Sequence, residues 1–207
     1  GLWDRYPVEQ VATPEGYQRD PALVINFYNE RRKQLLKVKP NRGHELLAEL
    51  EKNFHVTVVT QNIDNLHERA GSSHIIHLHG ELTKVCSSRD PHNPHYIKEL
   101  KPEEYEVKMG DKAGDGTQLR PFIVWFGEAV PEIETAIQYV EKADIFVIIG
   151  TSLNVYPAAG LLHYVPRGAE VYLIDPKPVD THTSRSIHVI QKGASEGVAE
   201  LKQLLGV

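Results

Sequence analysis

Ile145-Phe146-Val147-Ile148-Ile149-Gly150-Thr151-Ser152 is the stretch that decides the fold. Five apolar residues in succession are what a central strand covered by helices on both faces requires. The glycine at its end permits a close backbone approach, and the two hydroxyls stand at the strand's carboxyl end, where open α/β sheets bind their ligands. Gly-Thr-Ser by itself is an ordinary turn more often than not.

Outward from that strand the pattern repeats. Further strands are expected at 55–59, 75–78, 122–125, 170–174 and 187–190, and helices at 21–37, 43–52, 132–142, 157–164 and 195–205. Asp20-Pro21 gives the first of these helices an N-cap with proline in its first turn. Strands alternating with helices predict an α/β fold, a Rossmann-like, mostly parallel sheet with helices on both faces. The stretch 87–118 breaks the alternation, being rich in Pro, Asp, Lys, His and Gly. It reads as a small inserted module held by Tyr96, Ile97, Leu100, Tyr105, Val107 and Met109. The expected division is a nucleotide-binding domain over 54–85 and 119–207, with a small helical and inserted region over 1–53 and 86–118.

Composition narrows the function. The 207 residues carry a net charge of -5, with a sequence pI near 6.1, so no basic surface argues for nucleic acid or an anionic membrane as partner. The single Cys86 excludes an internal disulfide, and no apolar run approaches the roughly 20 residues that cross a bilayer. A cytoplasmic protein is expected.

Two strand ends gather polar residues. After His55-Val56-Thr57-Val58-Val59 come Gln61, Asn62 and Asp64, and Ile75-Ile76-His77-Leu78 runs into His79-Gly80. An imidazole near its ordinary pKa accepts a proton at neutral pH, which makes His79 a candidate general base. His77, two residues away on the expected strand, is its rival. On the helix 21–37, Val24, Phe27, Tyr28, Arg31 and Leu35 form one stripe, so Arg31 lies on the apolar face while Arg32 and Lys33 can point to water. A guanidinium there needs an anion or several acceptors: either a ligand carboxylate, clamped with the Tyr28 hydroxyl, or an internal Asp or Glu. Asp175, ending Val171-Tyr172-Leu173-Ile174, can accept from both hydroxyls of a ribose, favouring NAD over NADP, or can open the turn at Pro176.

Taken together, Thr60 to Gly71, His79-Gly80, Leu119-Arg120-Pro121 leading to Trp125-Phe126-Gly127-Glu128, and Gly150 to Gly160 resemble the sirtuins, NAD-dependent protein-lysine deacylases, in order along nearly the whole chain. The resemblance implies that His79 takes a proton from the nicotinamide ribose. It implies that Gln61, Asn62, Ile63 and Asp64 line the nicotinamide pocket, and that Gly150, Thr151, Ser152, Asp175, Pro176, Lys177 and Ala194 hold the rest of NAD. Val124, Phe126 and Gly127, with Asn154, Val155 and Tyr156, are implied to take the acylated-lysine protein substrate as an added strand. Val124 and Phe126 read equally well as core. Tyr28 and Arg31 match the Tyr-x-x-Arg of sirtuins that remove succinyl and malonyl groups. Family members usually carry Asn where Asp175 stands.

Two departures matter. The family's inserted module binds zinc through four cysteines, and Cys86 with His92 and His95 supplies no such set, so no zinc is expected. The family's first strand, Gly-Ala-Gly-Ile-Ser loop and Pro-Thr-Phe-Arg segment have no counterpart, since Gly1-Leu2-Trp3 matches the family's residues just past them. The expectation is that the active protein includes them and that this sequence without them turns over little. A non-catalytic NAD or ADP-ribose binding module and a protein ADP-ribosyltransferase are the alternatives.

Overall fold

The computed structural model describes residues 5–151, 158–180 and 183–207. They form two compact units, one of residues 5–39, 62–65 and 79–130, the other of residues 40–61, 66–78, 131–151, 158–180 and 183–207. These boundaries differ from the division expected from sequence. The segment 119–130 joins the first unit because its strand pairs with 80–87, and 40–52 joins the second because its helix packs on the C-terminal one.

The first unit opens with short helices α1 (Val8–Val11) and α2 (Pro14–Arg19), then α3 (Pro21–Leu35). The Asp20 carboxylate accepts the Leu23 N–H at 3.1 Å and fixes the start of α3. Numbering the strands along the whole chain, β3 (Gly80–Ser87) pairs antiparallel with β4 (Lys98–Glu99) on one side and β5 (Leu119–Ile123) on the other. β5 was expected three residues later, and β3 not at all.

The module between β3 and β5 is held only partly by the expected apolar set. Val107 is buried with Ile25 and Val85, and Leu100 packs beside them, but Met109 is 55% exposed. Polar bonds close its far end. The Ser87 hydroxyl donates to Asp115 at 2.5 Å and lies 3.0 Å from the Thr117 hydroxyl, which donates to Asp115 at 2.7 Å. Those bonds hold the Asp115 carboxyl well below its ordinary range, at about 2.

In the second unit, α4 (Arg42–Glu49) starts from a capping box in which Asn41 accepts the His44 N–H at 2.9 Å and His44 accepts the Asn41 N–H at 3.0 Å. The parallel strands fall into two groups, β1 (Val58–Thr60) with β2 (Ile75–His77), and β6 (Ile145–Ile149), β7 (Glu170–Ile174) and β8 (His188–Ile190) in that order. α5 (Leu66–Ala70) precedes β2, and α6 (Glu132–Val140) precedes β6. β6 has the expected limits, but β7 is the middle strand of the three: Val171 to Ile174 are buried, whereas four of the five β6 residues are half-buried. Leu46 of α4 and Val198 and Leu201 of α7 (Ala194–Leu205) pack with Tyr172, Ile174 and Ile190, and Ile145, Val147 and Ile149 line the same core. Gly197 is required there, because a Cβ would collide with the Ile174 side chain. The result is a Rossmann-like α/β fold with an added antiparallel sheet.

Candidate active site

His79 stands on the tight turn that opens β3. Gly80 has φ +88° and pairs with Ile123, and any Cβ on it would collide with the Phe122 carbonyl oxygen. Only glycine fits so close a crossing. The His79 carbonyl accepts the Val124 N–H at 2.9 Å, so its backbone is tied to the residue just past β5, and His79 as a whole is half-buried. The rival His77 does not share a strand face with it. β2 ends at His77, which is 8% exposed and whose Nε2 lies 2.7 Å from Glu68 Oε2. Burial is the largest single influence on the Glu68 pKa and raises it, but the bond to His77 and the other lowering influences together outweigh it and the net shift is downward. His77 is therefore buried and held by the Glu68 carboxylate.

Asn62 is exposed, while Ile63 and Asp64 are half-buried, and the Ile63 carbonyl accepts the Leu82 N–H of β3 at 2.8 Å. Burial lowers the pKa of Arg31, and the charges of Tyr28 and then Asp64 act in the opposite direction. Tyr28 is fully buried and its phenol is pushed up to about 12, mainly by burial. It donates to the Val11 carbonyl at 2.9 Å and accepts from Trp125 Nε1 at 3.0 Å. To donate to a ligand carboxylate it would have to release Val11.

Arg32 corrects the sequence reading. Expected in water, it is 4% exposed, donating from Nε to the Leu82 carbonyl at 2.8 Å and from Nη1 to Asn29 Oδ1 at 2.8 Å and the Tyr105 carbonyl at 2.6 Å. A single-stripe helix has one wet face, but α3 is covered by β3 and by 105–107 as well.

The segment 124–127 is held by two charged residues to which sequence reasoning gave no role. Arg120, 4% exposed, forms a bidentate pair with Glu128 at 3.0 and 3.1 Å and lies 3.7 Å over the Trp125 ring. Glu128 Oε1 also accepts the Trp125 N–H at 2.8 Å. Phe126, whose N–H donates to the Ala12 carbonyl at 3.0 Å, is 68% exposed and so is not core; Val124 is half-buried. The only signal in the sequence was two opposite charges flanking a turn, which a surface pair would give equally.

In the second unit Gln61 is half-buried at the end of β1. Gly150 ends β6 with φ +63°, its N–H donating to Ile174 at 2.9 Å, and a Cβ on Gly150 or on Gly193, which precedes α7, would meet nothing within 4 Å. Both backbones are thus open to a ligand, as a dinucleotide needs. Asp175 is half-buried and its Oδ1 accepts the Lys177 N–H at 2.8 Å, so the turn role weighed for it is present. Thr151 and Ala194 are half-buried, Pro176 and Lys177 exposed. Ser152, Asn154, Val155 and Tyr156 lie outside the described residues. Cys86 is fully buried, its thiol pushed up to about 12 by that burial, while His92 and His95 are exposed. A protonated, enclosed thiol is not a ready metal ligand.

Comparison with known proteins gives one answer. A profile described as the Sir2 family matches residues 1–157. A curated NAD-dependent protein deacylase of Bacteroides thetaiotaomicron is 94% identical over 205 residues, which are 99% of this chain and 88% of that protein. A Sir2 homologue solved as its NAD complex superposes with TM-score 0.85 at 34% identity, over 100% of this chain and 80% of that one. A Sir2–p53 peptide–NAD+ structure gives 0.75 at 28% identity, over 93% and 81%.

Proposed function

The chain belongs to the Sir2 family, and from that premise we propose that it is an NAD-dependent protein deacylase, removing acetyl groups and also the acidic succinyl and malonyl groups from lysine side chains. NAD, when bound, would supply an electrophilic ribose carbon that the acyl oxygen attacks as nicotinamide leaves; with one water consumed, the products are nicotinamide, free lysine and 2′-O-acyl-ADP-ribose. The roles of this chain's residues are those the family resemblance implies. His79 accepts a proton on its imidazole from the ribose hydroxyls. Gln61, Asn62, Ile63 and Asp64 orient the carboxamide; Gly150, Thr151 and Asp175, with Pro176, Lys177 and Ala194, hold the adenosine side. Val124, Phe126 and Gly127 receive the substrate backbone, which gives affinity with little side-chain selectivity. No helix among the described residues is long and apolar enough to cross a membrane, and the reading puts the work in the cytoplasm.

The observation that carries the deacylase reading is the Gly80 turn, which fixes the backbone from which the half-buried His79 projects. The acidic-acyl reading rests on Arg31, a half-buried guanidinium three residues beyond the buried Tyr28 on α3. A planar carboxylate is the anion it suits. Arg31→Met should lower kcat/KM for a succinyl-lysine peptide roughly 10- to 100-fold, the worth of one or two charge-assisted hydrogen bonds, while deacetylation changes little. Equal losses for the two peptides would refute the acidic-acyl reading.

A further inference from the structure

We propose that Arg32 and Asn29 are positioning residues for acyl selectivity: a buried clasp that fixes the turn of α3 on which Arg31 is presented. The inference rests on the acidic-acyl reading of Arg31. Asn29 and Arg32 are each one residue beyond Tyr28 and Arg31, so the two pairs lie on adjacent faces of one helical turn. Asn29 bonds Val107 twice, donating to its carbonyl at 2.8 Å and accepting its N–H at 2.9 Å, as a strand neighbour would. Arg32 joins that pair through Asn29 Oδ1 and reaches the Tyr105 carbonyl, which ties α3 to the inserted module. Its Nε meets the Leu82 carbonyl, and the Leu82 N–H in turn donates to Ile63, next to Asp64. One side chain thus sets α3 against both the module and the 62–65 segment.

The oxygens bonded to Arg32 among the described residues are neutral, and burial lowers its pKa to about 10. A guanidinium held by carbonyls alone supplies geometry: three directed bonds from a rigid fork, which an ammonium cannot reproduce. Rotation or sliding of α3 would swing Arg31 away from its carboxylate, and displacement of about 1 Å is enough to cost a large factor in productive binding. A neutral acetyl group has no such partner to lose.

The test compares Arg32→Lys and Asn29→Ala with Arg31→Met on acetyl- and succinyl-lysine versions of one peptide, with NAD varied. Each clasp variant is expected to raise KM for the succinyl peptide about tenfold, leaving kcat, the acetyl-peptide KM and the NAD KM within about twofold. Parallel loss on both peptides, or no change in their ratio while Arg31→Met remains selective, would show that the clasp serves folding only and overturn the proposal. An Arg31→Met variant that loses both activities equally would instead sink the acidic-acyl reading and take the clasp's role with it.

Discussion

Cys86 and Tyr28 show how burial decides what a side chain can do. Each would ordinarily ionise near pH 9 to 10, and each is pushed up to about 12 because its enclosure disfavours the charged form. The folded protein therefore holds these protons where the unfolded chain would release them. Their contribution to stability is complete below about pH 9 and is lost as pH rises towards 12. Native stability, measured by denaturant titration, should fall between pH 9 and 11, less steeply in Cys86→Ala than in the parent. Identical slopes would mean the thiol is not enclosed. The same residue-scale view explains what was legible early. The placement of His79 and Gly150 just past β2 and β6 follows from apolar runs whose ends are visible in the sequence, whereas the buried state of Arg32 does not, since the carbonyls of Leu82 and Tyr105 that receive it are fifty and seventy-three residues away.

Elements built from continuous apolar runs were the readable ones: β6 and β7 have the limits expected from sequence, and α3 starts at the proline that Asp20 caps. β3 escaped because Glu81, Thr83 and Lys84 interrupt its apolar residues and because it begins inside the turn that ends β2. What that turn does is the more consequential point. Gly80 lets β3 cross β5 closely enough for the backbone on either side of His79 to be fixed. Gly80→Ala puts a methyl against the Phe122 carbonyl in a backbone region that alanine avoids, so the turn must open. Melting temperature should fall by several degrees, corresponding to about 2 kcal/mol for strain of this kind. At 25 °C, where the protein remains folded, turnover should drop on the order of 100-fold as His79 shifts. Full activity in Gly80→Ala would separate the turn from the chemistry.

At the scale of the whole molecule, the expected site residues are distributed over both compact units, with Asn62 to Asp64, His79 and Val124 to Gly127 in one and Gln61, Gly150, Thr151 and Asp175 in the other. Alternation of strands and helices was enough to predict the Rossmann-like class, but not the exchange of 40–52 and 119–130 between units, which depends on pairing and packing across long separations. The central claim is that one imidazole, presented by a glycine turn, makes this fold a deacylase. Mass spectrometry of the protein and of His79→Ala, each incubated with NAD and an acyl-lysine peptide, tests it most directly, with NAD-induced thermal stabilisation measured in parallel. The account predicts equimolar free lysine and acyl-ADP-ribose from the parent, neither from His79→Ala, and the same NAD stabilisation in both. Turnover by His79→Ala, or an ADP-ribose mass gain on protein in place of acyl-ADP-ribose, would contradict it.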